Sequence, residues 1–376
     1  MKIFIIAGED SGDKLGSAII DGLRRVLNIS PTFVGIGGLG MISRGVASIF
    51  PMSELSVMGF SQIAFQYRNL NKRLNQTVSA IFVEQPDIIL TIDSREFCFR
   101  VAKKVKSANK NIPIVHYVAP SVWAWRPKRA KIISNYIDHV LALFPFEPPY
   151  FHCVGLNCDF VGHPIVSEAT ASKDDIYKFK REFSLGDDPL ILCLPGSRKS
   201  EIDKIMPTFG KTLERFSNVL PKANFILISA PHVFEYSKKY LKCMPKKTFF
   251  LTPEDIGLEK YTAYKKASFK IADLALAASG TVSLELAANK TPMVIGYDMN
   301  YLSRQIIQTM MKTDTVTLVN LITGNRNIPE CIGANFNSGN LFLEMVRVYS
   351  NSQTQIKDFT TTMNLLGKNE EAPNLR

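Results

Sequence analysis

Short apolar runs alternate with longer amphipathic stretches along the whole chain. Apolar runs at 2–7, 32–36, 87–92, 112–118 and 139–143 predict strands, and helical spacing at 14–27, 60–83 and 97–107 predicts the helices between them. The pattern restarts in the second half. Strands are expected at 190–194, 224–228, 248–251, 274–277 and 293–295, with helices at 200–219, 234–241, 261–267, 282–288 and 302–311. Strand–helix alternation of this kind predicts α/β architecture with largely parallel sheets.

The two halves open alike. The run 3–7 leads into Gly8-Glu9-Asp10-Ser11-Gly12-Asp13 and then a helix; the run 190–194 leads into Pro195-Gly196-Ser197-Arg198 and then a helix. Two Rossmann-like units in tandem are the simplest account. The expected division is 1–165, 166–345 and a C-terminal helix with a frayed polar tail over 346–376, and ligands are expected in a cleft between the units, at the carboxyl ends of both sheets. A chain of 376 residues suits two cores better than one.

Several loops at predicted strand ends carry chemistry. Ala278-Ser279-Gly280-Thr281 lies between a buried strand and a helix, a place where free N–H groups and a partial positive charge favour phosphate. Glu285, one turn on, suits ribose hydroxyls; the alternative is an ordinary helix start. Ser197 and Arg198 repeat the geometry, and a planar, permanently charged arginine suits a diphosphate. Asp93 ends a strand, with Glu96 just beyond, as a general base for a substrate hydroxyl would. An N-cap role explains Asp93 equally well.

Both tryptophans, Trp123 and Trp125, share one segment with Arg126, Lys128 and Arg129, between a predicted strand and a helix-like stretch. Such a loop either builds a ligand site or caps the core. The stretch 53–68, followed by Lys72 and Arg73, reads either as a basic-flanked helix for an acidic bilayer or as a helix packed on its own sheet.

The net charge of +11 points to an anionic partner: nucleic acid, phosphorylated metabolites or an acidic membrane. Six cysteines without a C-x-x-C pair fit a reduced, cytosolic chain. The first apolar run stops at Gly8, short of the ~7–15 residues of a signal segment. No run approaches the ~18 apolar residues of a spanning helix, so any membrane contact is expected from the surface. Neither a nicotinamide fingerprint nor a P-loop is present, no metal is demanded, and His116, His139 and His163 are expected in core or capping roles.

Taken in order, the motifs Ala7–Asp13, Val57-Met58-Gly59, His116-Tyr117-Val118 through Trp123-Ala124-Trp125-Arg126, Phe144-Pro145-Phe146-Glu147, Gly162-His163-Pro164, Leu194–Arg198, Ala278–Thr281 with Glu285, and Lys312-Thr313-Asp314 through Asn320-Leu321 resemble the lipid-A-disaccharide synthase family. These are lipid glycosyltransferases of Gram-negative outer-membrane assembly. The resemblance implies a GT-B fold, two Rossmann-like domains facing each other across a cleft, and an inverting transfer that needs no metal or other cofactor. The implied substrates are UDP-2,3-diacylglucosamine and 2,3-diacylglucosamine 1-phosphate. The implied location is cytoplasmic, peripheral on the inner leaflet of the inner membrane, without nucleic acid. A homodimer is an option the family leaves open.

Carried over by motif, Glu9, Asp87, Arg198 and Asn320 match positions associated with activity. Ile63 and Phe65 match the region that touches lipid, and Trp123, Trp125, Arg126 and Arg129 would line the acceptor and membrane side. The chain departs from the family at Arg95-Glu96, where Pro-Asp is usual, and at Leu39, Gln62 and Val319. The expected mechanism places UDP on Ser197, Arg198, Ser279, Gly280, Thr281, Glu285 and Asn320. Asp93 is the first candidate base and Glu96 the second, with domain closure aligning donor and acceptor. A UDP-sugar epimerase of the same fold and a basic nucleic-acid-binding protein are the competing classes.

Overall fold

The computed structural model describes the chain apart from residues 56–62, 110, 126–127, 231–232, 299–313 and 369–376; the side chains of 63–67 and 124–125 also fall outside it. The predicted helix at 302–311 lies outside the described residues. The chain forms two compact units, Met1–Pro164 and Ile165–Lys368.

The first unit is built on a seven-stranded sheet in the order β3-β2-β1-β4-β5-β6-β7. Its strands are β1 (Lys2–Ala7), β2 (Thr32–Ile36), β3 (Ala47–Ser48), β4 (Ile88–Ile92), β5 (Ile114–Tyr117), β6 (His139–Ala142) and β7 (Asn157–Phe160). Every pairing is parallel. Ile3 to Ala7 of β1 are all buried, as expected when helices cover both faces of a parallel sheet. Register aligns Ala7 with Ile92, Ile92 with Tyr117 and Tyr117 with Leu141. The loops after β1, β4, β5 and β6 therefore emerge along one edge.

The second unit carries a six-stranded parallel sheet, order β10-β9-β8-β11-β12-β13. Its strands are β8 (Leu190–Leu194), β9 (Asn224–Leu227), β10 (Thr248–Phe250), β11 (Leu274–Ala277), β12 (Met293–Tyr297) and β13 (Glu330–Ile332). Leu194 aligns with Ala277 and Ala277 with Ile295, so Pro195–Arg198 and Ala278–Thr281 leave the same edge. Phe209, Leu213 and Phe216 of the Lys199–Val219 helix pack beneath this sheet.

The end of the chain corrects an expectation. Residues after Ser350 read as frayed because they are polar, yet Gln353–Leu365 is a helix of the second unit with Phe359 and Leu366 fully buried. Gln355 fastens it, accepting from Met293 N–H at 2.9 Å and donating to Met293 O at 3.0 Å. Residues 346–376 are therefore not a separate appendage up to Lys368.

Candidate active site

In the first unit the loop after β4 is the most constrained part of the edge. Asp93 and Ser94 adopt φ of +46° and +33°, and Val118, after β5, adopts +78°. Such conformations cost ~1–3 kcal/mol each in non-glycine residues and cluster at functional sites. For the β-branched Val118 it is a true outlier. The turn is fixed from its neighbours: Asp93 N–H bonds Tyr117 O at 3.0 Å, and Val118 N–H bonds Leu141 O at 3.1 Å. Gly8 closes over it; a Cβ there would overlap Ser94 Oγ and lie 2.7 Å from Ser94 Cβ.

Ser94, not Asp93, occupies the N-cap position of the Arg95–Ala108 helix, without a side-chain cap bond. Asp93 is therefore not the N-cap, and its carboxylate is half-buried. Arg95 Nε stands 3.9 Å from Asp93 Oδ1. Glu9, at the start of the Asp10–Val26 helix, is held above the ordinary carboxyl value by partial burial and then by the Asp93 charge, against the opposing pull of Arg95. Glu96 is more exposed and pairs with Arg129 at 3.0 Å, while Arg129 also lies 5.7 Å from the Phe99 ring centroid. Glu9, Asp93, Arg95, Glu96 and Arg129 are thus one charged group on one edge.

Asp87 does not join them. It precedes β4 at the opposite end of the sheet, where its Oδ2 accepts Lys2 N–H at 2.6 Å and its N–H bonds Lys2 O at 2.9 Å. Six residues of extended chain, roughly 20 Å, separate it from Asp93. It is a brace for the start of two strands and is withdrawn as a catalytic residue.

Trp123 lies on the Val122–Trp125 helix and donates from Nε1 to Glu147 Oε1 at 3.2 Å. Its ring meets Phe146 edge-on at 5.2 Å. Trp125 (side chain) and Arg126, with the side chains of Ile63 and Phe65, lie outside the described residues. Arg73, expected beside a lipid-facing helix, is instead paired with Glu54 through Nη2 at 2.5 Å and Nε at 2.7 Å, with its guanidinium 4.7 Å from the Phe50 ring centroid. His116 is a core residue: it is fully buried, hydrogen-bonded to Thr91 Oγ1 through Nδ1 at 2.8 Å, and pushed down to about 3 by burial and then by Arg95 and Arg129.

In the second unit, Arg198 sits at the N-cap of the Lys199–Val219 helix, largely exposed. Sequence reasoning missed its partner. Glu201 accepts from Arg198 Nη1 at 2.9 Å, and from Ser197 N–H, Arg198 N–H and Tyr297 Oη, each at 3.3 Å. Gly196, at φ +104°, leaves room for it; a Cβ there would stand 2.8 Å from Glu201 Oε2. The only advance signal is a glutamate three residues after the N-cap, the capping-box spacing.

Ser279 donates to Val316 O at 3.1 Å, whereas Gly280 and Thr281 are exposed and nothing lies within 4 Å of a Cβ built on Gly280. Glu285 is half-buried and paired with Lys265 at 2.7 Å. Asn320 corrects a second expectation. It is fully buried, with Nδ2 donating to Ile328 O at 2.9 Å and Glu330 Oε1 at 3.2 Å, and Oδ1 accepting from Ile328 N–H at 3.1 Å. With both ends of its amide engaged inside the fold, it serves as a support for the site and is withdrawn as a ligand contact. Glu330 completes that support, accepting also from Thr315 Oγ1 and from Thr317 N–H at 2.8 Å.

Among the described residues no group of three or more His, Cys, Asp or Glu side chains is placed to hold a metal ion, and no helix is long and apolar enough to cross a membrane.

The chain matches the profile of the lipid-A-disaccharide synthetase family over residues 3–374. The lipid-A-disaccharide synthase of Ruegeria pomeroyi is 44% identical over 376 residues, covering 100% of this chain and 93% of the relative. That of Rhodospirillum centenum is 38% identical, covering 100% and 92%. Among solved structures, S. aureus MnaA with UDP superimposes with a TM-score of 0.66 at 14% identity, covering 97% of this chain and 92% of that one. UDP-GlcNAc 2-epimerase from Neisseria meningitidis, bound to UDP-GlcNAc, gives 0.62 at 12%, covering 100% and 96%. At such identities the structural likeness establishes the GT-B type of two Rossmann-like units and says nothing of the chemistry.

Proposed function

The chain belongs to the lipid-A-disaccharide synthase family, and we propose that it performs that family's glycosyl transfer with Asp93 as general base. The substrates would be UDP-2,3-diacylglucosamine and 2,3-diacylglucosamine 1-phosphate. Asp93 accepts the proton of the acceptor's 6-hydroxyl as that oxygen attacks the anomeric carbon of the donor. The bond from that carbon to the diphosphate breaks on the opposite face, and UDP leaves with the electron pair, which gives inversion. The observation that carries this reading is the strained Asp93–Ser94 turn, which presents a carboxylate at a strand end and leaves the N-cap to Ser94.

Glu9 supports Asp93 by keeping a second carboxyl beside it. Arg198 and the Ser279–Thr281 loop offer donors for the charge that grows on the diphosphate, the kind of stabilisation that is worth most in a site closed to water. Glu201 holds Arg198 ready in the absence of ligand. Substrates with acyl chains and phosphate, together with a net charge of +11, support a peripheral station on an anionic membrane.

The test is to mix both acylated glucosamines with the protein and follow disaccharide and UDP. Asp93→Asn should lower turnover by ~100-fold or more while UDP binding persists. Turnover near that of the parent would remove Asp93 from the role. Interconversion of the donor sugar without acceptor would identify an epimerase instead.

A further inference from the structure

One carboxylate in the first unit has no part in the chemistry above and is buried without a cationic partner among the described residues. Glu147, 2% exposed, follows β6 on the same edge as Asp93 and Val118. Its carboxyl accepts from the Trp123 indole at 3.2 Å and the Phe144 N–H at 3.1 Å, with the Leu143 backbone N–H as a further donor. Around it Phe144 and Phe146 lie parallel at 5.5 Å, and Phe146 takes the edge of Trp123. An apolar side chain of similar volume would fill this place at lower desolvation cost, so a buried acid retained here has directional value.

Its direction is toward Trp123. The indole N–H is a donor only, so a single acceptor sets the rotation of the ring. Trp123 lies in the first turn of the Val122–Trp125 helix, where the leading N–H groups have no intrahelical partner and the turn is held least firmly by its own bonds. We propose that Glu147 is a positioning residue for the Trp123 indole, and through it sets how firmly the acceptor's sugar ring is held. The half-buried face of an indole suits the C–H face of a sugar. The inference rests on the reading of the chain as a glycosyltransferase with its acceptor on the first unit.

Other titratable groups near Glu147 do not compete with it around neutrality. Burial holds Cys158 of β7 up at about 12, with the Glu147 charge second, and burial holds His163, stacked on Phe144, down at about 4. Glu147 itself is pushed up to about 7 by burial, against its bonds to Phe144, Trp123 and Leu143.

Kinetics and fluorescence test the proposal together. Trp123→Phe and Glu147→Gln should each raise the acceptor KM by about tenfold, the size of one charge-assisted bond, with the donor KM within about twofold. The double variant should be no worse than Trp123→Phe alone. Additive effects, or an unchanged acceptor KM in Trp123→Phe, would overturn it. In a Trp125→Phe background Trp123 is the sole indole. Its emission should titrate near neutrality when Glu147 is present and lose that step in Glu147→Gln. Emission with the same wavelength and intensity in the parent and in Glu147→Gln, both folded by circular dichroism, overturns the tether, and this arm needs no turnover. A parent chain that titrates but forms no disaccharide overturns the acceptor role and leaves the tether standing.

Discussion

At Glu147 a single proton connects burial to stability. Its folded-state value is about 7 against 4.5 for the free side chain. As pH rises the unfolded chain releases this proton first, so the folded state loses stability from about 4.5 up to about 7. At ~1.4 kcal/mol per pH unit, the loss is roughly 3 kcal/mol between pH 4 and pH 8. Glu147→Gln lacks the titration, so its urea-unfolding free energy should gain on that of the parent by this amount over the range. A difference that stays constant would refute the raised value. Arg198 works in the opposite regime, exposed and, among the described residues, ion-paired through its side chain with Glu201. Arg198→Ala should cost kcat/KM ~2–4 kcal/mol while the melting temperature stays within a degree or two of the parent. Near-parent turnover would end its diphosphate role.

Elements decide which residues can reach the edge where chemistry is possible. Asp87 and Asp93 bracket the same apolar run, and nothing in that run says which end faces the ligand. The parallel pairing of β4 with β1 and β5 puts Gly8, Asp93 and Val118 on one edge and leaves Asp87 with Lys2 at the other. Strands β1, β2, β8 and β11 were legible to the residue, and β8 and β11 are continuous apolar runs buried on both faces. β7 (Asn157–Phe160) and β13 (Glu330–Ile332) were not. Both are short edge strands carrying polar side chains, so neither forms an apolar run. Asn320 belongs to this scale, as the link between the Leu318–Thr323 helix and the start of β13. Asn320→Ala strips partners from Ile328 and Glu330, and should destabilise the protein by on the order of 2–3 kcal/mol. Activity should fall in step with melting temperature, unlike Arg198→Ala; lost turnover with unchanged melting would restore Asn320 to a direct role.

Across the whole molecule, two α/β units and a charge of +11 are carried by one chain. If that charge draws the protein to its lipid substrates, it should sediment with vesicles containing phosphatidylglycerol and not with phosphatidylcholine alone. Retention should fall as salt rises from ~0.05 to ~0.5 M, because screening shortens the reach of surface charge to a few ångströms. Equal retention on both vesicle types would assign the attraction to apolar contacts. Not every cation contributes: Arg73, Lys106 and Lys265 are held by Glu54, Asp138 and Glu285.

What the order of residues determined alone was the tandem α/β plan, the loops at strand ends and the family. These follow from local periodicity and from motifs contiguous in the chain. Tertiary structure alone decided which polar residues those loops present. Asn320, Glu147 and the helix Gln353–Leu365 are polar in sequence, yet each is drawn inward by a partner 8, 24 or 62 residues away. The cost of burying a polar group depends on whether a partner waits there, and only folding brings the partner.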